Sequence, residues 1–248
     1  MLNIKNFLFI FALLPLFLVG FDYDVCIDPG HCGTLDPGAL GLNGAFLPDE
    51  CDFNQDIANS TVDELFWLGK TYLMTRHGRD TFPPPARVTR LHGDIHPKQW
   101  LDNDHGDRGF CYSAVSIHCN ADTNNSPAHG TETYCVTLLG WDHIFAQHVH
   151  DSMCTQIAGI PYYANRGIKQ KGFTFLKNTI SPSCLAEVAF VTHPNGLLPG
   201  QWNQLVGDLW MLKTNAGIGI ARGIKAFLGP FFPPTWLRPS GIRGRSVS

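Results

Sequence analysis

The sequence predicts an α/β fold: a single domain with a mostly parallel mixed sheet flanked by helices and a metal site at the carboxyl ends of the strands. Short apolar, β-branched runs of strand length alternate with longer segments of helical period, the order that produces a parallel sheet. The 248 residues, 44% hydrophobic and 16% charged, suffice to bury one full core. No internal repeat or low-complexity tract divides them.

Residues 1–20 stand apart from the rest. Lys5 is their one charge, and an apolar run extends from Phe7 to Val19 before Gly20. A membrane span needs about 20 apolar residues, so this shorter run fits the hydrophobic segment of a secretory signal. An uncleaved N-terminal anchor and a buried terminal element are the alternatives. The expected layout is therefore a signal peptide or anchor over 1–20, a catalytic domain over 21–228 and a Pro/Gly/Arg-containing tail over 229–248.

Tyr23 to Asp28 reads as the first strand, stopped by Pro29-Gly30. Asp49 to Leu68 carries Phe53, Ile57, Val62, Leu65 and Phe66 near helical spacing, and Gly69 closes it. Strands follow at Lys70 to Arg76 and Ala114 to His118. Between them, residues 78–109 show no sustained period and read as a long loop carrying one short helix. Gly130 to Leu139 alternates as a strand, Asp142 to Ile157 fits a helix, and Cys184 to Phe190 is a late apolar strand. Leu205 to Leu228 ends the domain as a helix that Gly217, Gly219 and Gly223 should weaken.

A net charge of -3 and a pI near 6.4 give no reason to invoke nucleic acid or an anionic membrane as partner. Eight cysteines, an even number, suit an oxidising compartment and the presence of disulfides. No C-x-x-C pair occurs, so neither a zinc ribbon nor a thioredoxin-like motif is indicated. Pairing is not readable from sequence, and Cys26 and Cys135, in apolar strand-like runs, could equally be buried thiols.

A catalytic zinc takes three nitrogen or oxygen ligands from the protein and keeps one position open. His31 lies just past the first strand, where Gly30 allows a sharp turn, and His118 ends another strand. Sites in open α/β sheets form outside the carboxyl ends of strands, and Glu50, opening the first helix, can reach the same edge. Among eleven histidines a single one is a weak signal; the combination is stronger. His92, His96, His105, His143, His148 and His150 lack strand-end placement, and those on the second helix read as surface residues.

Eight motifs then appear in one order: D-P-G-H at Asp28 to His31, D-P-G-A at Asp36 to Ala39, Glu50, M-T-R at Met74 to Arg76, S-I-H-C-N-A at Ser116 to Ala121, G-T-E-T-Y at Gly130 to Tyr134, N-R-G-I-K at Asn165 to Lys169, and L-A-E-V-A-F at Leu185 to Phe190. This series resembles the zinc-dependent N-acetylmuramoyl-L-alanine amidases of the amidase-3 type. The resemblance implies one zinc ion held by His31, Glu50 and His118, and Glu187 as the catalytic glutamate. It also implies peptidoglycan as substrate, cut at the amide between N-acetylmuramic acid and L-alanine. Chemistry agrees on Glu187, since a carboxylate in an apolar strand is costly unless it is paired, hydrogen-bonded or protonated. A buried salt bridge is its other reading.

Asn120 follows a ligand and either contacts substrate or ends the strand as a turn residue. Arg166 and Lys169 resemble a substrate-groove segment, though with Gly167 they could form a solvated turn; Arg76 is expected to be structural. The chain departs from the family pattern at Cys32 and Cys119, each beside a proposed ligand, where a disulfide bracing the site and a thiol competing for metal are both open. The expected protein is exported or resident in the cell envelope, monomeric, and not stably inserted in a membrane once its signal is removed. A zinc peptidase acting on another amide and a non-catalytic wall-binding relative remain as rival readings.

Overall fold

The computed structural model describes residues 21–32, 38–39, 49–78, 110–121, 129–160, 164–190 and 202–229, with side chains of the last segment from 210 onward. The expected signal over 1–20, most of the loop over 78–109 with its three histidines, and the tail from 230 lie outside them.

Strands β1 (Tyr23–Pro29), β2 (Tyr72–Met74), β3 (Cys111–Asn120), β4 (Thr131–Cys135), β5 (Asn165–Gln170) and β6 (Ser183–Phe190) form one sheet in the order β2-β1-β3-β6-β4-β5. Every neighbouring pair is parallel except β4 with β6. Helices α1 (Glu50–Trp67), α2 (Gly140–Ile157), α3 (Thr174–Asn178) and α4 (Trp202–Leu228) complete the described elements. The α/β class and the largely parallel sheet thus match expectation.

Alternation along the strands sorts the two faces of the sheet. Val25, Ile27, Val115, Ile117, Cys184, Ala186 and Val188 point into the main core against α1, α2 and α4. On the other face, Cys26, Leu73, Ala114 and Leu185 form a smaller cluster that Phe175 and Leu176 of α3 cover. Three long helices therefore shield one face and leave room for a site on the other.

The three glycines expected to weaken the last helix act instead as contact points. A Cβ on Gly217 would lie 2.5 Å from the Ser60 Cβ on α1, and one on Gly219 would lie 2.5 Å from the Met153 Cα on α2. Gly223 meets the α2 backbone at His148 and Val149 in the same way. Lys213 with Asp56 and Arg222 with Glu64 bracket the α1 contact, so α4 runs parallel to α1. Absence of side chains at these positions lets three helices pack closely in one layer, and tertiary packing overrides helix propensity here.

Two elements were not expected from the sequence. Asn165 to Gln170 forms β5, an edge strand, where a turn had been the alternative; its one large apolar side chain, Ile168, gives no alternating pattern. α3 has five residues, too few for a helical period to register. The predicted strand over Gly130 to Leu139 is shorter than expected, because β4 ends at Cys135 and α2 begins at Gly140. No helix among the described residues is long and apolar enough to cross a membrane.

Candidate metal centre and its carboxylate neighbours

His31, Glu50 and His118 converge where β1 and β3 end and α1 begins, with one ligand atom from each lying within 4.8 Å of the others. Glu50 Oε1 sits 3.2 Å from His31 Nε2 and 3.3 Å from His118 Nδ1. Two imidazole nitrogens and a carboxylate oxygen are the donor set that a zinc-type cation takes. The site is largely enclosed, for the Glu50 side chain is 4% exposed and those of His118 and His31 are 12% and 25% exposed.

Backbone geometry brings them together. Gly30 donates its N–H to the Ile117 carbonyl at 2.8 Å, locking the end of β1 to β3. A Cβ at Gly30 would overlap the His118 imidazole, so only glycine fits between ligand and turn. Gly38 and Ala39 supply the other wall. Gly38, with φ of 70°, packs against the His31 side chain and the Glu50 carboxylate, and the Ala39 N–H donates to Glu50 Oε2 at 2.8 Å.

Further donors hold the ligand-bearing segments. The Cys119 N–H donates to Glu50 Oε1 at 3.1 Å, and Asn54 Nδ2 donates to the Gly30 carbonyl at 3.1 Å. Arg76, fully buried, donates to the carbonyls of Pro29, Gly30, Cys51 and Gly78 and to Gln55 Oε1. It thereby fixes the chain before His31 and after Glu50, the structural role expected of it. Asp28 accepts from the Thr75 and Ser116 hydroxyls, each at 2.5 Å, joining three strand ends beneath the site.

Charge follows the same design. Burial opposes ionisation of Glu50, but hydrogen bonds and charge from His118 and His31 outweigh it and hold the carboxyl well below its usual range. Burial pulls His118 down, against the pull of Glu50. A neutral imidazole and an ionised carboxylate are the forms that bind metal.

Glu187 is brought to the same edge by register. It pairs with His118 across β3 and β6, and with Glu132 across β6 and β4. The three side chains therefore form a row on the face away from the long helices. Burial, reinforced by the Glu50 and Glu132 carboxylates, raises the Glu187 carboxyl to about 8. Its Oε2 is buried without a hydrogen-bond partner. The salt-bridge alternative for Glu187 is not what the structure holds: no ion pair of Glu187 occurs among the described residues.

The buried salt bridge belongs to Glu132 instead, a residue the sequence reading left without a role. Arg166 Nε donates to its Oε2 at 2.6 Å, Lys169 Nζ also reaches Oε2, and the Tyr134 hydroxyl and Asn120 Nδ2 donate to Oε1 at 2.5 and 2.7 Å. Burial resists its charge, but the donors from Lys169, Tyr134 and Arg166 prevail and lower its pKa to about 2. Asn120, Arg166 and Lys169 thus gather on Glu132 beside Glu187. The signal in sequence was the carboxylate of G-T-E-T-Y, flanked by threonines in an alternating strand; its importance appears only once β4 is paired with β6.

The two readings left open for Cys32 and Cys119 divide between them, and the surface placement expected of His150 needs correction. Cys32 is bonded to Cys51, and Cys119 stays a buried thiol whose side chain joins the core on the helix side, away from the ligands. Burial, with the Glu50 and Glu187 charges, pushes that thiol well above its ordinary pKa, so it is a poor competitor for metal. His150 is not a surface residue but 2% exposed, because its ring bonds Thr133 Oγ1 and Asn165 Oδ1, each at 2.9 Å, between α2 and the sheet. His148 does lie at the surface.

Known proteins are similar to this chain in sequence and in fold. Over 172 residues the chain is 28% identical to the N-acetylmuramoyl-L-alanine amidase LytC of Bacillus subtilis (strain 168), covering 68% of this chain and 29% of LytC. Over 170 residues it is 28% identical to the probable cell wall amidase LytH of Staphylococcus aureus, covering 68% of this chain and 48% of LytH. The chain thus spans less than half the length of these two relatives. Among solved structures, the amidase AmiC2 of Nostoc punctiforme is 25% identical, with a TM-score of 0.62 over 83% of this chain and 96% of that one. An N-acetylmuramoyl-L-alanine amidase from Clostridium difficile 630, 23% identical, shares the fold with a TM-score of 0.64 over 85% and 98% of the two chains. Because the N-acetylmuramoyl-L-alanine amidase family model matches residues 25–197, more than half of the sequence, the chain belongs to that family.

Proposed function

We propose that this chain is a zinc-dependent amidase that hydrolyses the bond between N-acetylmuramic acid and L-alanine in peptidoglycan. The convergence of His31, Glu50 and His118 with Glu187 in the adjacent register position carries the reading. Family membership supports it, and the name of LytC states the same activity for a relative.

In this reading His31, His118 and Glu50 would hold a single zinc ion. Bound there, zinc supplies Lewis-acid polarisation of the scissile carbonyl and lowers the pKa of a nearby water. The remaining steps belong to the protein. Glu187 accepts a proton from the attacking water and returns it to the leaving amine. In the metal-free molecule burial keeps its carboxyl protonated, and a nearby cation would favour the ionised, proton-accepting form. Arg166 and Lys169, whose side chains are 36% and 38% exposed, have spare donors for an anionic stem peptide, and Glu132 holds them and Asn120 in place. General acid–base groups contribute about 10²- to 10⁴-fold, which sets the expected loss in Glu187→Gln.

A peptidoglycan substrate would be met outside the cytoplasm or in the envelope, and the apolar character of residues 7–19 supports that location. A binding-only relative would have no use for four intact site residues. Mass spectrometry of products from purified peptidoglycan tests the proposal. Stem peptides freed from intact glycan, lost with chelator and regained with zinc, are the expected result; cuts inside the stem would favour a peptidase and refute it.

A further inference from the structure

The metal centre is closed by a covalent bond that the proposed reaction does not use. Cys32 directly follows His31, Cys51 directly follows Glu50, and the two are joined as a disulfide with their Cα atoms 5.0 Å apart. Two of the three candidate ligands, one past the end of β1 and one opening α1, are thus each a single residue from the same cross-link. Both half-cystines are buried, at 3% and 5% exposure. Arg76 spans the same two segments noncovalently, donating to the Gly30 and Cys51 carbonyls at 3.1 Å each.

The backbone between them is unusual. His31 and Cys32 have φ of 58° and 146°, two successive non-glycine residues in the region that favours glycine. Such conformations persist only where the surroundings over-determine them, and they gather at functional sites. A tie one residue beyond each of His31 and Glu50 therefore supplies part of that over-determination before any metal binds.

We propose that the Cys32–Cys51 disulfide is a positioning element for the metal centre: it fixes His31 against Glu50 before the ion arrives and so makes metal affinity depend on the oxidation state of this cysteine pair. The inference rests on the metal-site reading above. Preorganised ligands bind more tightly because ordering is not charged to the binding step. Opening the bond needs two electrons and two protons. A phosphine with one water supplies them, becoming a phosphine oxide while both sulfurs become thiols, and the chain then carries a looser ligand set.

The test compares zinc dissociation constants, by competition with a chromophoric chelator, for the oxidised full chain and for Cys32→Gly/Cys51→Ala. Glycine suits the positive φ at position 32, and neither new residue can bind zinc, so the variant removes the tie without adding a ligand. Folding is checked by circular dichroism. We expect zinc binding weakened at least about tenfold. A lower melting temperature with an unchanged dissociation constant would mean the bond is merely structural and would overturn the inference alone. Zinc bound by neither protein would overturn the site reading and the inference with it. If the variant does not fold, wild-type protein reduced with phosphine and alkylated at the released thiols gives the same comparison, with the same tenfold weakening expected and unchanged affinity contradicting it.

Discussion

Glu187 and Glu132 face each other across β6 and β4, yet their surroundings drive them to opposite states. Glu187 is buried beside two carboxylates, and it is raised to about 8; Glu132 collects four donors and is lowered to about 2. Environments that separate two such groups assign them separate tasks. Stability should report the difference. Between the unfolded value near 4.5 and about 8, folded Glu187 keeps a proton that the unfolded chain releases, so metal-free protein loses stability as pH rises through that window. Glu132 acts the other way, contributing stability above 4.5 that is lost as pH falls toward 2. Melting temperatures of metal-free protein from pH 5 to 8 should therefore fall more steeply for wild type than for Glu187→Gln. Parallel slopes would show that Glu187 titrates normally. At this scale the convergence of His31, Glu50, His118 and Glu187 was legible because each lies in a local motif on a strand or at a helix start. Glu132 was not, because its partners come from β3, β4 and β5 and meet only through pairing. His150 was misjudged for a related reason, since polar partners on the sheet bury a side chain that helical periodicity cannot place.

At the scale of elements, the layer of α1, α2 and α4 depends on glycines that intrinsic propensity counts as defects. Gly219 faces the Met153 backbone, which cannot move aside as a flexible side chain would. Gly219→Val should force the helices apart and cost about 1–3 kcal/mol, measurable as a lower denaturant midpoint with the metal site intact. A neutral outcome would mean that α4 packs otherwise. The long strands and helices were readable because apolar spacing reports a buried face directly. β5 was not, because an edge strand with exposed Asn165 and Arg166 buries little and shows no alternation. β5 nonetheless places Arg166 and Lys169 against Glu132, a contact that no apolar pattern announces.

For the whole molecule, the sheet separates two jobs. One face holds the core under three helices; the other, at the carboxyl ends of β1, β3 and β6, gathers the candidate metal ligands and Glu187. Because β3 lies between β1 and β6 in the sheet, residues far apart in sequence arrive at one edge, and the order of the candidate ligands along the chain becomes a compact cluster. Zinc content and muropeptide turnover, determined together on one set of preparations, test the central claim most directly. The account predicts one zinc and turnover in wild type, loss of both in His118→Ala, and in Glu187→Gln a retained zinc with turnover down about 10²- to 10⁴-fold. Glu187→Gln turning over at the wild-type rate, or His118→Ala keeping both metal and activity, would contradict it.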